Sequence, residues 1–290
     1  MISARRFLPL LASVLSSLPA VAASYFYAVG SDNHIYEVSD SGNSRVVRDL
    51  SGLVGTTAVN GAAFDAVRGQ FFFAVPGTLG SLWYWNQATD ATPVLLGQLT
   101  TVRPDNAAYW NNAYWYIQQG THNLYRLSLS YDGSGNPIGY TAQSATLTGA
   151  VPAVNLNYFG DIAVSSAGVL YASTANGTDF YSVSLLDPLF EVTRLGSVGS
   201  PGSPVSRLQL SFNADESVLY GHSYTTGQWY TVNTGNGAVA ALPFSSFTAG
   251  TNNGNGFQDI AGAAGVPERG PWLALLSVTL FSLFLVRRRR

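Results

Sequence analysis

Two short signals recur in the same order five times along this chain, and that repeat limits the folds open to it more than any other feature. The first is an aromatic residue followed by a small or apolar one: Tyr27-Ala28, Phe73-Ala74, Tyr116-Ile117, Tyr171-Ala172 and Tyr220-Gly221, at steps of 46, 43, 55 and 49 residues. The second trails it by about ten residues as an aromatic inside an alternating apolar and polar pattern: Tyr36, Tyr84, Tyr125, Tyr181 and Tyr230. Alternation with period two, bounded by Gly, Asn, Asp and Ser, is the pattern of a half-buried strand, so each pair of signals predicts a hairpin. A further short strand is predicted upstream at Asn60 to Phe64, Asn106 to Tyr109, Gly160 to Val164 and Arg207 to Phe212. Another is predicted downstream at Pro93 to Leu99, Val192 to Gly196 and Ala238 to Leu242. Four short strands in a unit of about 48 residues describe a β-propeller blade. A β-sandwich with extra strands uses the same alternation and turns, but it does not require the signals to recur in a fixed order.

The ends of the repeat region predict how the ring closes. Gly256-Phe257-Gln258-Asp259-Ile260-Ala261 is a further copy of the upstream strand and matches Phe159-Gly160-Asp161-Ile162-Ala163. No hairpin follows it. The first hairpin, which starts at Tyr25-Phe26-Tyr27-Ala28, has no upstream strand of its own. Pairing the last strand with the first hairpin completes a fifth blade and removes an exposed sheet edge, which is otherwise a site of aggregation. The expected fold is therefore all-β, a propeller of five four-stranded blades over residues 24–265, closed by its N- and C-terminal strands.

Both ends of the chain carry targeting patterns. Arg5 and Arg6 precede an apolar stretch from Phe7 to Leu18, and Ala20-Val21-Ala22 places small residues at alternate positions. That is the form of a signal peptide, residues 1–23, cut by signal peptidase before Ala23 or Ser24. At the other end, Val266-Pro267-Glu268-Arg269 is followed by an apolar stretch from Trp272 to Val286 and by Arg287, Arg288, Arg289 and Arg290. As a helix those 15 residues would measure roughly 22 Å, short for a full bilayer crossing, and the arginines act as a stop that stays in the cytoplasm. The order of motif, hydrophobic helix and arginine cluster over residues 266–290 resembles the PEP-CTERM sorting tail of Gram-negative bacteria, although Arg269 stands where the family usually has a second proline. The resemblance implies a processing enzyme, exosortase, as a partner. It also implies tethering in the inner membrane before processing and display at the cell surface or in the extracellular matrix afterwards, in contact with exopolysaccharide.

Charge and cysteine content exclude several function classes. The chain has 14 basic residues, all arginine, and half of them lie in the two end segments or the sorting motif. Residues 24–265 hold seven arginines against 15 acidic residues, a net charge of −8. Nucleic acid is an unsuitable partner for such a surface, because phosphate binding needs concentrated positive charge. With no cysteine there is no disulfide, thiolate metal site or cysteine nucleophile. Stability must come from a packed, aromatic-rich core.

Three sets of residues are candidates for chemistry. His34, His122 and His222 all fall between the second and third strands of their predicted blades, which puts them on one rim. None has the close spacing that defines a zinc site, and polar rim residues are the plainer reading. Asp161 and Asp259 occupy matching places in innermost strands, with Asn106, Gln209 and Gly61 as counterparts. Two carboxylates and two amides facing a central channel form a candidate site for calcium or a polar ligand, while the plainer reading has them bonded to backbone and stiffening adjacent blades. Paired carboxylates are also what glycoside hydrolysis needs, but only at a defined separation. Trp83, Trp85, Trp110 and Trp115 are candidates for stacking on sugar rings, because alternation in a strand sends neighbours to opposite faces and not every ring can be core. No catalytic constellation stands out. The expected function is a non-enzymatic binding or scaffold module at the cell surface, and the two alternatives are a secreted enzyme acting on a glycan or lactone and an adhesion protein that binds other surface proteins.

Overall fold

A computed structural model describes residues 25–262 apart from 40, 56–57, 101–103, 119, 153–158, 178, 201–202 and 245–255. The predicted signal peptide, sorting motif, hydrophobic segment and terminal arginines lie outside the described residues. Among the described residues, no helix is long and apolar enough to cross a membrane.

Five antiparallel sheets carry the chain. Blade one has the spatial order Asp259–Gly262, Tyr25–Val29, His34–Ser39, Ser44–Asp49. Blade two runs through Asn60–Asp65, Gln70–Val75, Ser81–Asn86 and Val94–Gln98, and blade three through Ala108–Trp110, Ala113–Ile117, Asn123–Tyr131 and Pro137–Thr146. Blade four comprises Phe159–Val164, Val169–Thr174, Phe180–Ser184 and Glu191–Gly196, and blade five Leu208–Phe212, Leu219–Ser223, Trp229–Val232 and Val239–Ala241. Each innermost strand meets the innermost strand of the next blade all the way round, from 60–65 to 108–110, 159–164, 208–212, 259–262 and back to 60–65. The protein is a five-bladed β-propeller, and the C-terminal strand closes it as the repeat predicts. Phe26 pairs with Gly262, Tyr27 with Ala261, Ala28 with Ile260 and Val29 with Asp259.

The 55-residue step in the repeat has a structural cause. Strands Asn123–Tyr131 and Pro137–Thr146 form a hairpin of nine and ten residues, longer than the matching pair in any other blade. After it the chain adds a two-residue strand, Thr148–Gly149, which pairs in parallel with Glu191–Gly196 at the outer edge of blade four. The extra length extends the outer part of two blades without adding a sixth.

Burial follows the blade interfaces. A blade is apolar on both faces because it has a neighbour on each side, so its strands read as nearly continuous apolar runs near the centre. The innermost strands Asn60–Asp65 and Leu208–Phe212 are buried along their full length, whereas the outermost Val94–Gln98 and Ser44–Asp49 are not. One cluster packs blades one and two around Tyr27, Phe64, Phe71 and Trp85, another joins blades three and four around Trp115, Phe159 and Tyr181, and a third closes blade five on blade one through Phe26, Trp229 and Phe257. Such interlocked aromatic layers supply the stability that the missing disulfides cannot.

Candidate functional site

The edge of an innermost strand that faces the channel has no neighbouring strand, so its amides need other acceptors. Asp259 and Asp161 supply them. Asp259 Oδ2 accepts the Ala62 amide of blade two at 2.7 Å, and its Oδ1 accepts the Ile260 amide at 2.8 Å. The Ala62 amide is free for this because the ladder between the two inner strands of blade two slips between Asn60 and Ala63. Asp161 Oδ2 accepts the Leu210 amide of blade five at 2.5 Å. Each carboxyl therefore staples its blade to the next. Blade two has no carboxyl at this position, and there the Tyr114 hydroxyl of blade three donates to the Gly61 carbonyl at 2.7 Å. Gly61 adopts φ +64°, and a Cβ there would lie 2.5 Å from that hydroxyl, so only glycine fits.

Both aspartates are fully buried. Burial pushes each carboxyl well above the usual carboxylate range, and for Asp259 the charge of Asp161 adds to the rise. The channel beyond them holds only about 30 Å³ and is lined by small side chains such as Ala62, Ala107, Ala163 and Ser211. That is room for a water molecule.

The four residues assigned to a channel site are therefore not equivalent. Asn106 does not face the channel at all: its Oδ1 accepts the Ile117 amide at 2.8 Å and its Nδ2 donates to the Ile117 carbonyl at 3.2 Å, which clamps it within blade three. Gln209 donates weakly to the Arg207 carbonyl at 3.4 Å and leaves its Oε1 without a partner, as does Asp161 for Oδ1. Among the described residues, no three His, Asp or Glu side chains gather closely enough to hold a metal ion.

His222 departs from the rim reading. It lies inside strand Leu219–Ser223 and is fully buried between the rings of Trp229 and Phe257, 4.4 and 5.0 Å away. Its Nε2 accepts the Phe257 amide at 3.0 Å, and burial pushes its pKa down to about 3. A neutral ring with Nε2 as acceptor carries its proton on Nδ1. His222 thus latches the closing segment. His34 opens its strand beside Asp32, and His122 caps the Pro152 carbonyl from the turn before Asn123. The three histidines do not converge.

The four tryptophans also separate. Trp85 and Trp115 are only 2% and 3% exposed, so neither offers a face to a sugar; this corrects the expectation from alternation, because here both faces of a strand meet another blade. Trp83 is half-buried and its indole N–H donates to the Ser81 hydroxyl at 2.9 Å. Trp110 is half-buried at the mouth of a groove of 530 Å³ between blades three and four.

That groove is built from local rules. Trp110 ends its strand, and Asn111 and Asn112 follow with φ of 50° and 55°, the left-handed pair that a two-residue hairpin requires and asparagine tolerates. The turn fixes Trp110 over Gly168 of blade four, and its indole N–H donates to the Ser166 carbonyl at 3.1 Å. Trp115 stands behind it, ring centroids 6.3 Å apart, with its N–H on the Trp110 carbonyl at 3.2 Å. Arg126 is paired with Trp115 on one side and Gln143 on the other, so all three point to the same face of blade three. Its guanidinium lies 5.5 Å from the Trp115 ring. Leu185, Leu186 and Phe190 of blade four form the opposite wall, with Leu186 70% exposed. An apolar floor, one open indole and a few polar groups along the rim are what a ring-shaped polar ligand needs.

Sequence reasoning reached Trp110 but missed Arg126. An arginine inside an alternating strand is ordinarily a solvated outward residue, and its register against Trp115 is visible only once the pairing is known. A larger groove of 680 Å³ lies between blades four and five, but Glu216 on its edge already accepts the Ser166 amide and hydroxyl at 2.6 and 2.7 Å.

The chain matches no protein-family model and no curated protein. Among solved structures it is similar to a structural genomics protein of unknown function from Bacteroides thetaiotaomicron, at 13% identity and a TM-score of 0.50, over 84% of this chain and 66% of that one. The likeness to a chain of a nidogen/laminin complex has 11% identity and a TM-score of 0.49 over 83% and 98% of the two chains. A virginiamycin B lyase from Staphylococcus aureus aligns at 11% identity and a TM-score of 0.44 over 76% and 69%. At such identities the likeness is one of fold.

Proposed function

We propose that this protein is an exported, surface- or matrix-associated binding module that holds a polysaccharide strand in the groove between blades three and four. One observation carries the reading: Trp110 is fixed by its hairpin and its N–H bond, yet stays half-exposed in a groove that Gln143 and Ser144 also line and that is large enough for a sugar unit. The amide and hydroxyl groups of the rim suit a hydroxyl-rich ligand. The channel aspartates support the same choice, because they are buried and bonded to backbone amides of neighbouring blades, where they close the ring. The targeting patterns at the two ends supply the exported location, with signal peptidase and an exosortase-like enzyme as processing partners and the membrane as an intermediate station.

Trp110→Ala is expected to weaken polysaccharide binding at least about tenfold, the usual cost of losing a central aromatic anchor. Its melting temperature should stay within a few degrees of wild type, since Trp110 lies at the edge of the aromatic layer. Affinity electrophoresis of both proteins through a panel of bacterial polysaccharides, with product analysis of the same samples, checks this. Turnover of any polymer would make the protein an enzyme and overturn the proposal.

A further inference from the structure

Charge inside the groove narrows the ligand class. Arg45 pairs with Glu37, Arg48 with Asp90, Arg68 with Asp65 and Arg194 with Asp179, while Arg207 is exposed to solvent beside the Tyr224 ring. Arg126 has no ion pair among the described residues, and its Nε has no hydrogen-bond partner. Among the described residues no acidic side chain lines the groove, although residues 24–265 as a whole carry −8. A half-buried guanidinium that lies beside an indole, has a buried Nε without a partner and lines a groove of neutral residues is poised to take an anion. Its planar fork matches a carboxylate better than a point charge would.

We infer that the groove takes an acidic polysaccharide, with a uronic acid carboxylate seated on Arg126 and the adjoining sugar ring against Trp110. This rests on the polysaccharide reading above and adds the charge of the ligand to it. Specificity follows from the same arrangement, since a neutral sugar would leave the guanidinium without its partner.

The test uses polygalacturonate, alginate and carboxyl-reduced polygalacturonate, titrated into the purified protein and into Arg126→Gln and Arg126→Lys. Polygalacturonate or alginate should bind wild type at least about tenfold more tightly than the reduced polymer. Arg126→Gln should remove most of that preference, and Arg126→Lys should restore only part of it. The preference of wild type for the acidic over the reduced polymer is a readout that needs no variant and stands even if substitution at Arg126 disturbs the fold. Equal binding of acidic and reduced polymers to wild type would overturn the carboxylate inference and leave the polysaccharide reading intact. Failure of all three polymers to bind would overturn this inference, and failure of neutral polymers as well would remove the polysaccharide reading beneath it.

Discussion

Deleting residues 256–265 is expected to unfold the whole propeller rather than trim one edge from it. The segment contributes Phe257 and Ile260, which are 0% and 1% exposed, to the layer between blades five and one. Removing a buried phenylalanine costs about 3–5 kcal/mol and a buried isoleucine about 2–5 kcal/mol. The same deletion removes Asp259 from the Ala62 amide, Phe257 from His222, and the Gln258 amide from the Val29 carbonyl, where it donates at 2.8 Å. It also leaves Tyr25–Val29 as an open edge. Against a total stability of about 5–15 kcal/mol, those losses are decisive. Circular dichroism and thermal melting should show no cooperative transition in the truncated protein, and a melt near the wild-type temperature would contradict the closure.

The second large effect concerns Asp259. Replacing it with alanine strands the Ala62 and Ile260 amides in a buried site, at about 1–3 kcal/mol each. Asp259→Asn keeps an oxygen acceptor and removes the charge. Because burial and the neighbouring Asp161 raise its pKa in the folded protein, the folded state holds the proton more tightly than the unfolded chain does. The wild type is then most stable relative to Asp259→Asn below the unfolded carboxyl pKa of about 4, and loses that advantage as pH rises from there through the folded value. Asparagine turns its NH2 toward one of the two amides that Asp259 accepts, so Asp259→Asn lies below wild type at pH 4, the gap narrows toward neutrality, and Asp259→Ala falls below both. Chemical denaturation at a series of pH values reads this directly. A wild type that gains stability over Asp259→Asn between pH 4 and neutrality would overturn the assignment.

His222 has the opposite slope. Its pKa is depressed to about 3 in the fold, so its contribution is complete above the unfolded value of about 6.5 and is lost as pH falls toward 3. Each variant is therefore compared with wild type at the same pH, so that the two groups are not confused.

The architecture was legible in the sequence to an unusual depth because a propeller repeats its own signals. Tyr27, Phe73, Tyr116, Tyr171 and Tyr220 all fall on the second strand of a blade, and the match between Gly256–Ala261 and Phe159–Ala163 identifies the closing strand without any coordinates. The site was less legible, for two physical reasons. Alternation predicts which side of a sheet a residue faces, but in a propeller both sides meet another blade, so it does not separate buried Trp85 and Trp115 from half-open Trp110. The pairing of Arg126 with Trp115 and Gln143 depends on strand register, and the latch between His222 and Phe257 joins residues 35 apart in sequence. Asp161 and Asp259 were found by their matching positions, yet the bulge that frees the Ala62 amide shows only in the fold.

Hydrogen exchange of the purified protein with and without polygalacturonate tests the central claim most directly, because it locates the ligand rather than only detecting it. The account predicts added protection at Trp110–Trp115, Leu124–Arg126 and Gln143–Ala145, with little change at the channel strands. Protection centred on the strands that carry Asp161, Gln209 and Asp259, or no protection in the groove under conditions where the polymer is bound, would contradict it.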